Sequence, residues 1–330
     1  MTHIDPSMRA VRNITHGGPR LLEVQQIPTP ARAPGEVLIE VHAAGVSYPD
    51  VLQSRGEYQL RIPLPFTIGC EFAGVVVDAD ADSGFAPGDR VLGVAGSGAF
   101  AEYVSTPADR VLPLPDSVGF VEAAGMPINV LSAEFALGQR GHLRSGETVL
   151  IHGAAGGLGI ALTQQAKLLG ARVLAVTSTP EKAELARRVG ADETISPFNF
   201  LEEARRLTDG HGVDMVCDPV GGERFTDSLR ALNTYGRLLV LGFTGGSIPT
   251  VRVNRLLLTN TTIIGVAWGG LMPNTGVSLP QQWARLSDHV ISGRVSAEIS
   301  DVVPLEDASK AVAALDERRA TGKIILTVRG

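Results

Sequence analysis

The stretch His152-Gly153-Ala154-Ala155-Gly156-Gly157-Leu158-Gly159 follows the apolar run "ETVLI" and precedes the helix-like "IALTQQAKLLGA". A strand-to-helix turn so bare of side chains lets backbone N–H groups at the helix N-terminus meet a pyrophosphate with no Cβ in the way. On the G-x-G-x-x-G spacing its positions are Ala154, Gly156 and Gly159, with alanine standing for the first glycine. Tight strand–helix packing alone would also use small residues here. The run of strands and helices around the turn favours a dinucleotide. The next strand ends about 20 residues on, where the ribose is read. There the chain has Thr177, Ser178 and Thr179, no acid, and then Lys182. A carboxylate would repel a 2′-phosphate, whereas hydroxyls and a lysine accept one. The spacing therefore predicts NADPH over NADH, although a solvated Lys182 on a helix face is the plainer account of that residue.

The elements that position this turn are legible in the chain's texture. Before residue 126, short β-type runs ("EVLIEVHAAG", "EFAGVVVDAD", "DRVLGVAG", "AFAEYVST") alternate with Pro and Gly, as in a barrel or sandwich. After it, "TVLIHG", "RVLAVTS", "MVCDPVG" and "GRLLVLGF" are separated by amphipathic helical stretches. Buried strands alternating with helices imply βαβ units and a parallel sheet. From about residue 265 come a Gly/Pro loop, a helix, a β segment, a second helix and the closing strand "GKIILTV". The expected class is α/β: a Rossmann-type doubly wound parallel sheet over 127–265, and a β-rich domain over 1–126 to which 266–330 returns.

Composition bounds the function. The 330 residues suffice for two domains. With 44% hydrophobic and 19% charged residues the chain reads as globular, and its net charge of −6 disfavours generic nucleic-acid or membrane-surface binding. Cys70 and Cys217 are too few for a disulfide framework or a cysteine zinc cluster. The sequence shows no membrane span, and "MTHIDPSMRA" lacks the apolar core of a signal peptide, so a cytoplasmic location is expected. Met8 is a candidate start, with the first seven residues a loose extension.

Six segments, in order, resemble the medium-chain dehydrogenase/reductase superfamily and its zinc-free quinone oxidoreductase branch: "GVSYPDVLQSRGEY" (45–58), "PFTIGCEFAGVV" (65–76), "GDRVLG" (88–93), "HGAAGGLGIALTQQAKLLGA" (152–171), "VDMVCDPVGGERF" (213–225) and "GRLLVLGFTGGSIP" (236–249). With "TGKIIL" (321–326) they run through nearly the whole chain. The resemblance implies that the β-rich part is a GroES-like catalytic domain and that nicotinamide binds in the cleft between the domains. Zinc-dependent relatives place their metal ligands where this chain has Ser47, Cys70 and Ile128, and one thiol cannot supply the three protein ligands of a catalytic zinc. Cys70 and Glu71 then read as structural, and no metal is expected.

The same resemblance implies the site. Ser47, Asp50 and Tyr58 form the catalytic set: Ser47 stands where an Asn is common and can donate one hydrogen bond, and Tyr58 can donate to a carbonyl oxygen as charge builds there. The cofactor-binding set comprises Ser132, the turn residues Ala155, Gly156, Gly157 and Leu158, then Ser178, Lys182, Gly242, Phe243, Val266, Ala267, Trp268 and Lys323. His152 reads as a satisfied strand-end histidine. The implied activity is zinc-independent hydride transfer from NADPH to a quinone or similar electrophilic carbonyl. An enone, enal or enoyl-thioester reductase is the enzymatic alternative. A non-catalytic NADPH-binding redox sensor or an RNA-binding protein stands outside catalysis. The β-prone, charge-poor "VNRLLLTNTTIIGV" (253–266) predicts an edge that pairs with a second copy, giving a homodimer.

Overall fold

The structure, a computed structural model, describes residues 4–268 and 276–329. The chain divides into two compact units, Met1–Leu131 with Gly270–Gly330, and Ser132–Gly269. These divisions fall within five residues of those read from the sequence. The first falls inside the helix Pro127–Glu134, which begins where the texture changes. The Gly/Pro loop expected after residue 265 falls largely on 269–275, outside the described residues.

Eight strands of the first unit precede the nucleotide-type fold: β1 (Ser7–Asn13), β2 (Glu23–Pro28), β3 (Glu36–Gly45), β4 (Phe66–Thr67), β5 (Glu71–Ala79), β6 (Arg90–Val94), β7 (Tyr103–Pro107) and β8 (Val111–Pro113). Asp5, Pro6 and Ser7 are less loose than expected. Ser7 already pairs with Pro28, and the carbonyls of Asp5 and Pro6 accept bonds from Thr29.

The second unit contributes β9 (Thr148–His152), β10 (Arg172–Val176), β11 (Glu193–Ile195), β12 (Val213–Asp218), β13 (Leu232–Val240) and β14 (Thr262–Gly265). They form one sheet in the order β11-β10-β9-β12-β13-β14, every ladder parallel. Counted within the unit this is 3-2-1-4-5-6, so the order reverses between β9 and β12. Ligands of such sheets bind outside the carboxyl ends of the strands at that switch point. Both inner strands are buried on both faces, which is why "VLI" and "MVC" read as unbroken apolar runs rather than alternating ones. Leu150, Leu174, Val216 and Leu238 are fully buried in the resulting core.

Three elements here escaped sequence reading: the helix Asn254–Thr259, which takes up the first half of the run 253–266 read as β-prone and leaves only Thr262–Gly265 as strand, then β11 and the helix Phe200–Leu207. β11 is three residues long, too short for a periodic signal. The helix Phe200–Leu207 is short, but Glu202 and Glu203 in its first turn and Arg205 and Arg206 in its last suit the helix dipole. Phe200 and Ala204, one turn apart, bury its inner face.

The chain then returns to the first unit through the helix Leu279–Ile291, β15 (Ile299–Pro304), the helix Ala308–Asp316 and β16 (Lys323–Thr327). β16 pairs antiparallel with β3, completing a seven-stranded sheet of order β15-β16-β3-β5-β6-β8 with β7 also on β3. A small antiparallel sheet, β2-β1-β4, accompanies it. Phe72, Phe100, Ile39 and Leu326 fill the core of this unit; each such buried side chain contributes about 1.5–3 kcal/mol. No described helix is long and apolar enough to cross a membrane.

Candidate functional site

Two groups of residues carry chemistry, one in each unit. In the second unit the helix Gly157–Leu168 begins directly after β9, with Gly156 as its N-cap. Gly153 has a φ of +61°, so the tight turn asked of the motif's first glycine is made one residue before Ala154. This accounts for the alanine: Ala154 is buried and its N–H bonds Val176 O on the neighbouring strand. Gly159 is needed for close approach, since a Cβ there would lie 2.3 Å from Gly153 O. At Gly156 a Cβ would meet only Gly153 O, at 3.4 Å, and the residue is exposed. Close packing therefore explains Gly159 but not Gly156. What Gly156 leaves uncovered is backbone at a helix N-terminus, where the first N–H groups lack intrahelical partners. Gly157 and Leu158 are half-buried beside it, and Ala155 is buried.

A second loop converges at the same edge of the sheet. Asp218 ends β12 and is buried; its Oδ1 accepts the N–H groups of Val220 and Gly221 at 2.8 and 2.9 Å. Gly222 then bonds Ser247 O, while Thr244 and Gly245 bond back to Pro219 O and Val220 O. Gly242 and Phe243 thus sit on a loop fastened to the β12 turn, and the Phe243 ring occupies the space a Cβ on Gly221 would need. Asp218 was not singled out from the sequence. An acid closing the apolar run "VDMVCD" was the available signal.

At the end of β10, Ser178 and Thr179 are exposed and Lys182 is half-buried. Thr179 is committed to structure: it caps the helix Pro180–Arg188, its Oγ1 accepting from the Lys182 N–H. Lys182's ammonium has no ion-pair partner among the described residues. These groups fit a 2′-phosphate, and the open Gly156 backbone fits a pyrophosphate. His152 is buried with Nε2 2.8 Å from Ser228 Oγ, and burial lowers its pKa to about 4, which leaves it neutral. Ser132 is half-buried in the helix Pro127–Glu134. Of Val266, Ala267 and Trp268 only Ala267 is exposed, and the other two are buried.

In the first unit Ser47, Asp50, Cys70, Glu71 and Lys323 meet in one buried cluster. Ser47 is the N-cap of the helix Tyr48–Arg55, and Asp50 in its first turn accepts the Ser47 N–H at 2.7 Å. Glu71, at the start of β5, accepts the Ser47 hydroxyl at 2.5 Å through Oε1 and the Ile128 N–H at 2.8 Å through Oε2. Lys323, the first residue of β16, donates to Ser47 Oγ at 2.7 Å and to Glu71 Oε1. Gly45 and Gly125 pack tightly beside it: a Cβ on the first would lie 2.3 Å from Ala124 O and 2.9 Å from Glu71 Oε1, and one on the second 2.8 Å from the Ala297 Cβ and 3.2 Å from the Lys323 stem.

This geometry corrects two sequence expectations. Asp50, expected in the catalytic set, is fully buried, because its carboxylate serves the helix N-terminus. Ser47 does not hold its proton free: an ammonium accepts nothing, so the hydroxyl's one proton goes to Glu71. Burial raises the Asp50 pKa to about 7 and pushes the Cys70 thiol well up, so Cys70 is no nucleophile at neutral pH. Tyr58 lies half-buried in the loop after the first helix, its phenol raised to about 12 by burial and by the nearby Cys70 and Asp50. Glu71, read as structural, proves to be the hub of this cluster. An acid immediately before the apolar run "FAGVVV" was its only sequence signal.

A bovine quinone oxidoreductase-like protein 2 is 35% identical over 314 residues, 94% of this chain and 90% of the relative. The chain belongs to the medium-chain dehydrogenase/reductase superfamily, in its quinone oxidoreductase branch. Residues 33–116 match the alcohol dehydrogenase GroES-like domain family and 157–290 the zinc-binding dehydrogenase family. A quinone oxidoreductase structure from Pseudomonas syringae superposes with a TM-score of 0.90 at 32% identity, covering 97% of this chain and 100% of that one. A mycobacterial protein complexed with NADPH does so with a TM-score of 0.90 at 33% identity and the same coverage. The superamily-level features are thus in place: a GroES-like unit and a Rossmann-type unit. Against the zinc-binding family's description, the donors here do not suit a tetrahedral site. Ser47 is engaged with Glu71 and Lys323, Ile128 offers no donor side chain, and the described residues hold no cluster of three or more His, Cys, Asp or Glu arranged for a metal.

Proposed function

We propose that the protein is an NADPH-dependent, zinc-independent reductase of quinones or similar electrophilic carbonyls. The observation that carries this reading is the uncovered Gly156 backbone at the helix N-terminus, beside a second strand that is followed by Thr177, Ser178 and Thr179 rather than an acid, with Lys182 in the first turn of the next helix. Bound NADPH supplies a hydride with its electron pair. The turn residues 155–158 hold the pyrophosphate, Ser178 and Lys182 take the 2′-phosphate, and the helix bearing Ser132 together with the segments bearing Gly242, Phe243 and Val266–Trp268 hold the nicotinamide half. A rigid mount of this kind lowers the barrier by orientation. The relative named quinone oxidoreductase and the neighbour bound to NADPH support the same assignment.

On the first unit, Tyr58 stays protonated across the physiological range and is a hydrogen-bond donor for an acceptor oxygen. Ser47 and Asp50 act behind it by holding the cluster rather than by touching substrate. Quinones are electrophilic enough to need little further activation. An enone needs a proton placed at carbon, and Tyr58 is the one observation favouring that second reading. NADPH oxidation measured across small quinones, enals and enoyl thioesters tests both. Quinone turnover that falls less than about tenfold in Tyr58→Phe is expected; a hundredfold loss with efficient enone reduction by the parent moves the assignment, and no acceptor-dependent NADPH oxidation refutes catalysis of either kind.

A further inference from the structure

We infer that Lys323 is a catalytic residue of this chain: its ammonium is the fixed positive charge that hydrogen-bonds the acceptor oxygen as negative charge develops there. The inference rests on the reductase reading above, and it differs from the sequence expectation that Lys323 contacts the cofactor.

Donor counting leads to it. An ammonium has three donors and no acceptor. Two are used, on Ser47 Oγ and Glu71 Oε1, and the third has no partner among the described residues. Ser47's single proton is committed to Glu71, so Ser47 cannot answer a developing oxyanion without breaking that bond. Among Ser47, Glu71 and Lys323, only Lys323 keeps a donor to spare, and it is the one that carries a positive charge. Its side chain is 4% exposed and that of Glu71 0%, so the charge lies in a medium where it acts far more strongly than in water.

Stability is a poor reason to keep such a pair. Buried ion pairs commonly do no better than well-packed apolar residues of the same volume. Glu71 and Ser47 are the positioning residues: they fix where the ammonium sits and compensate its burial. The charge lies in the cluster that contains two of the positions where zinc-dependent relatives carry metal ligands, Ser47 and Cys70. An ammonium there does by hydrogen bonding what a Lewis acid does by coordination. The balance is simple. The hydride arrives with both electrons, the acceptor becomes a hydroquinone monoanion that Lys323 stabilises without giving up its proton, and water supplies the proton that completes the hydroquinone.

The test is Lys323→Met, which keeps length and removes charge. Turnover should fall about tenfold with the most electrophilic benzoquinones and a hundredfold or more with quinones whose hydroquinones are more basic, because stabilisation of an oxyanion grows with its basicity. NADPH affinity by fluorescence titration should stay within threefold. A loss equal for every quinone, or one matched by weaker NADPH binding, overturns the inference. Should Lys323→Met fail to fold, the double variant Lys323→Met/Glu71→Gln removes both charges and must show the same graded loss. A readout independent of turnover is the ionisation of bound 4-nitrophenol, followed by its absorbance without cofactor. The parent should lower its pKa by a unit or more, and the variant should not; equal values in both overturn the assignment. If the parent reduces no quinone, the function reading has failed, while the phenol titration still decides the role of Lys323.

Discussion

Asp50→Asn turns a buried carboxyl into a stability measurement. Asp50 is fully buried, and desolvation raises its pKa from an ordinary 3.8 to about 7, against the opposing pull of the Ser47 N–H. Below the unfolded value, folded and unfolded chains both carry the proton and no penalty exists. Between 3.8 and about 7 the unfolded chain has lost its proton while the folded one retains it, so stability falls as pH rises. Above about 7 the penalty is complete. Each unit is worth about 1.4 kcal/mol, so the three-unit displacement sets a ceiling of about 4 kcal/mol, of which roughly 3 develops between pH 5 and pH 8. Asparagine resembles the protonated acid and keeps a carbonyl oxygen for the Ser47 N–H. Urea unfolding of parent and variant at the two pH values should therefore show the variant gaining on the parent by up to about 3 kcal/mol from the acid to the alkaline condition. A difference unchanged with pH would mean that Asp50 is ionised throughout, and the desolvation argument would fall.

Lys182→Ala should weaken NADPH binding by about 1–3 kcal/mol, the scale of a charged hydrogen bond, and leave NADH nearly unchanged; equal weakening of both would show that Lys182 acts through the fold. Elemental analysis should find far less than one zinc per chain, with activity intact after chelation, whereas stoichiometric zinc lost together with activity would refute the metal-free reading. The edge strand β14 and the neighbouring Leu257 and Leu258, 78% and 77% exposed in the single chain, are expected to be covered in a homodimer. Light scattering should give about twice the 34.7 kDa chain mass, and Leu257→Glu should shift it toward the monomer; a monomeric parent at micromolar concentration would exclude the dimer.

What the sequence by itself determined is whatever depends on neighbours along the chain. The glycine turn at 153–159 works through local backbone geometry, so its residue types announce it, even with the tight-turn glycine one place earlier than the motif suggests. The inner strands β9, β10 and β12 are apolar because both faces are covered, and those runs were visible without their partners. Thr179 to Lys182 is likewise a local cap and helix start. The acceptor-side cluster is of the other kind. Lys323 reaches Ser47 across 276 positions and Glu71 across 252, and it does so only because β16 pairs with β3 while Glu71 opens β5 on the other side of that strand. No periodicity records that meeting. Read singly, Ser47 is a weak donor, Glu71 a structural acid and Lys323 a lysine near a terminus. Tertiary structure alone decided who holds which proton, because hydrogen-bond direction and desolvation are set by the atoms that surround a group and not by its place in the chain.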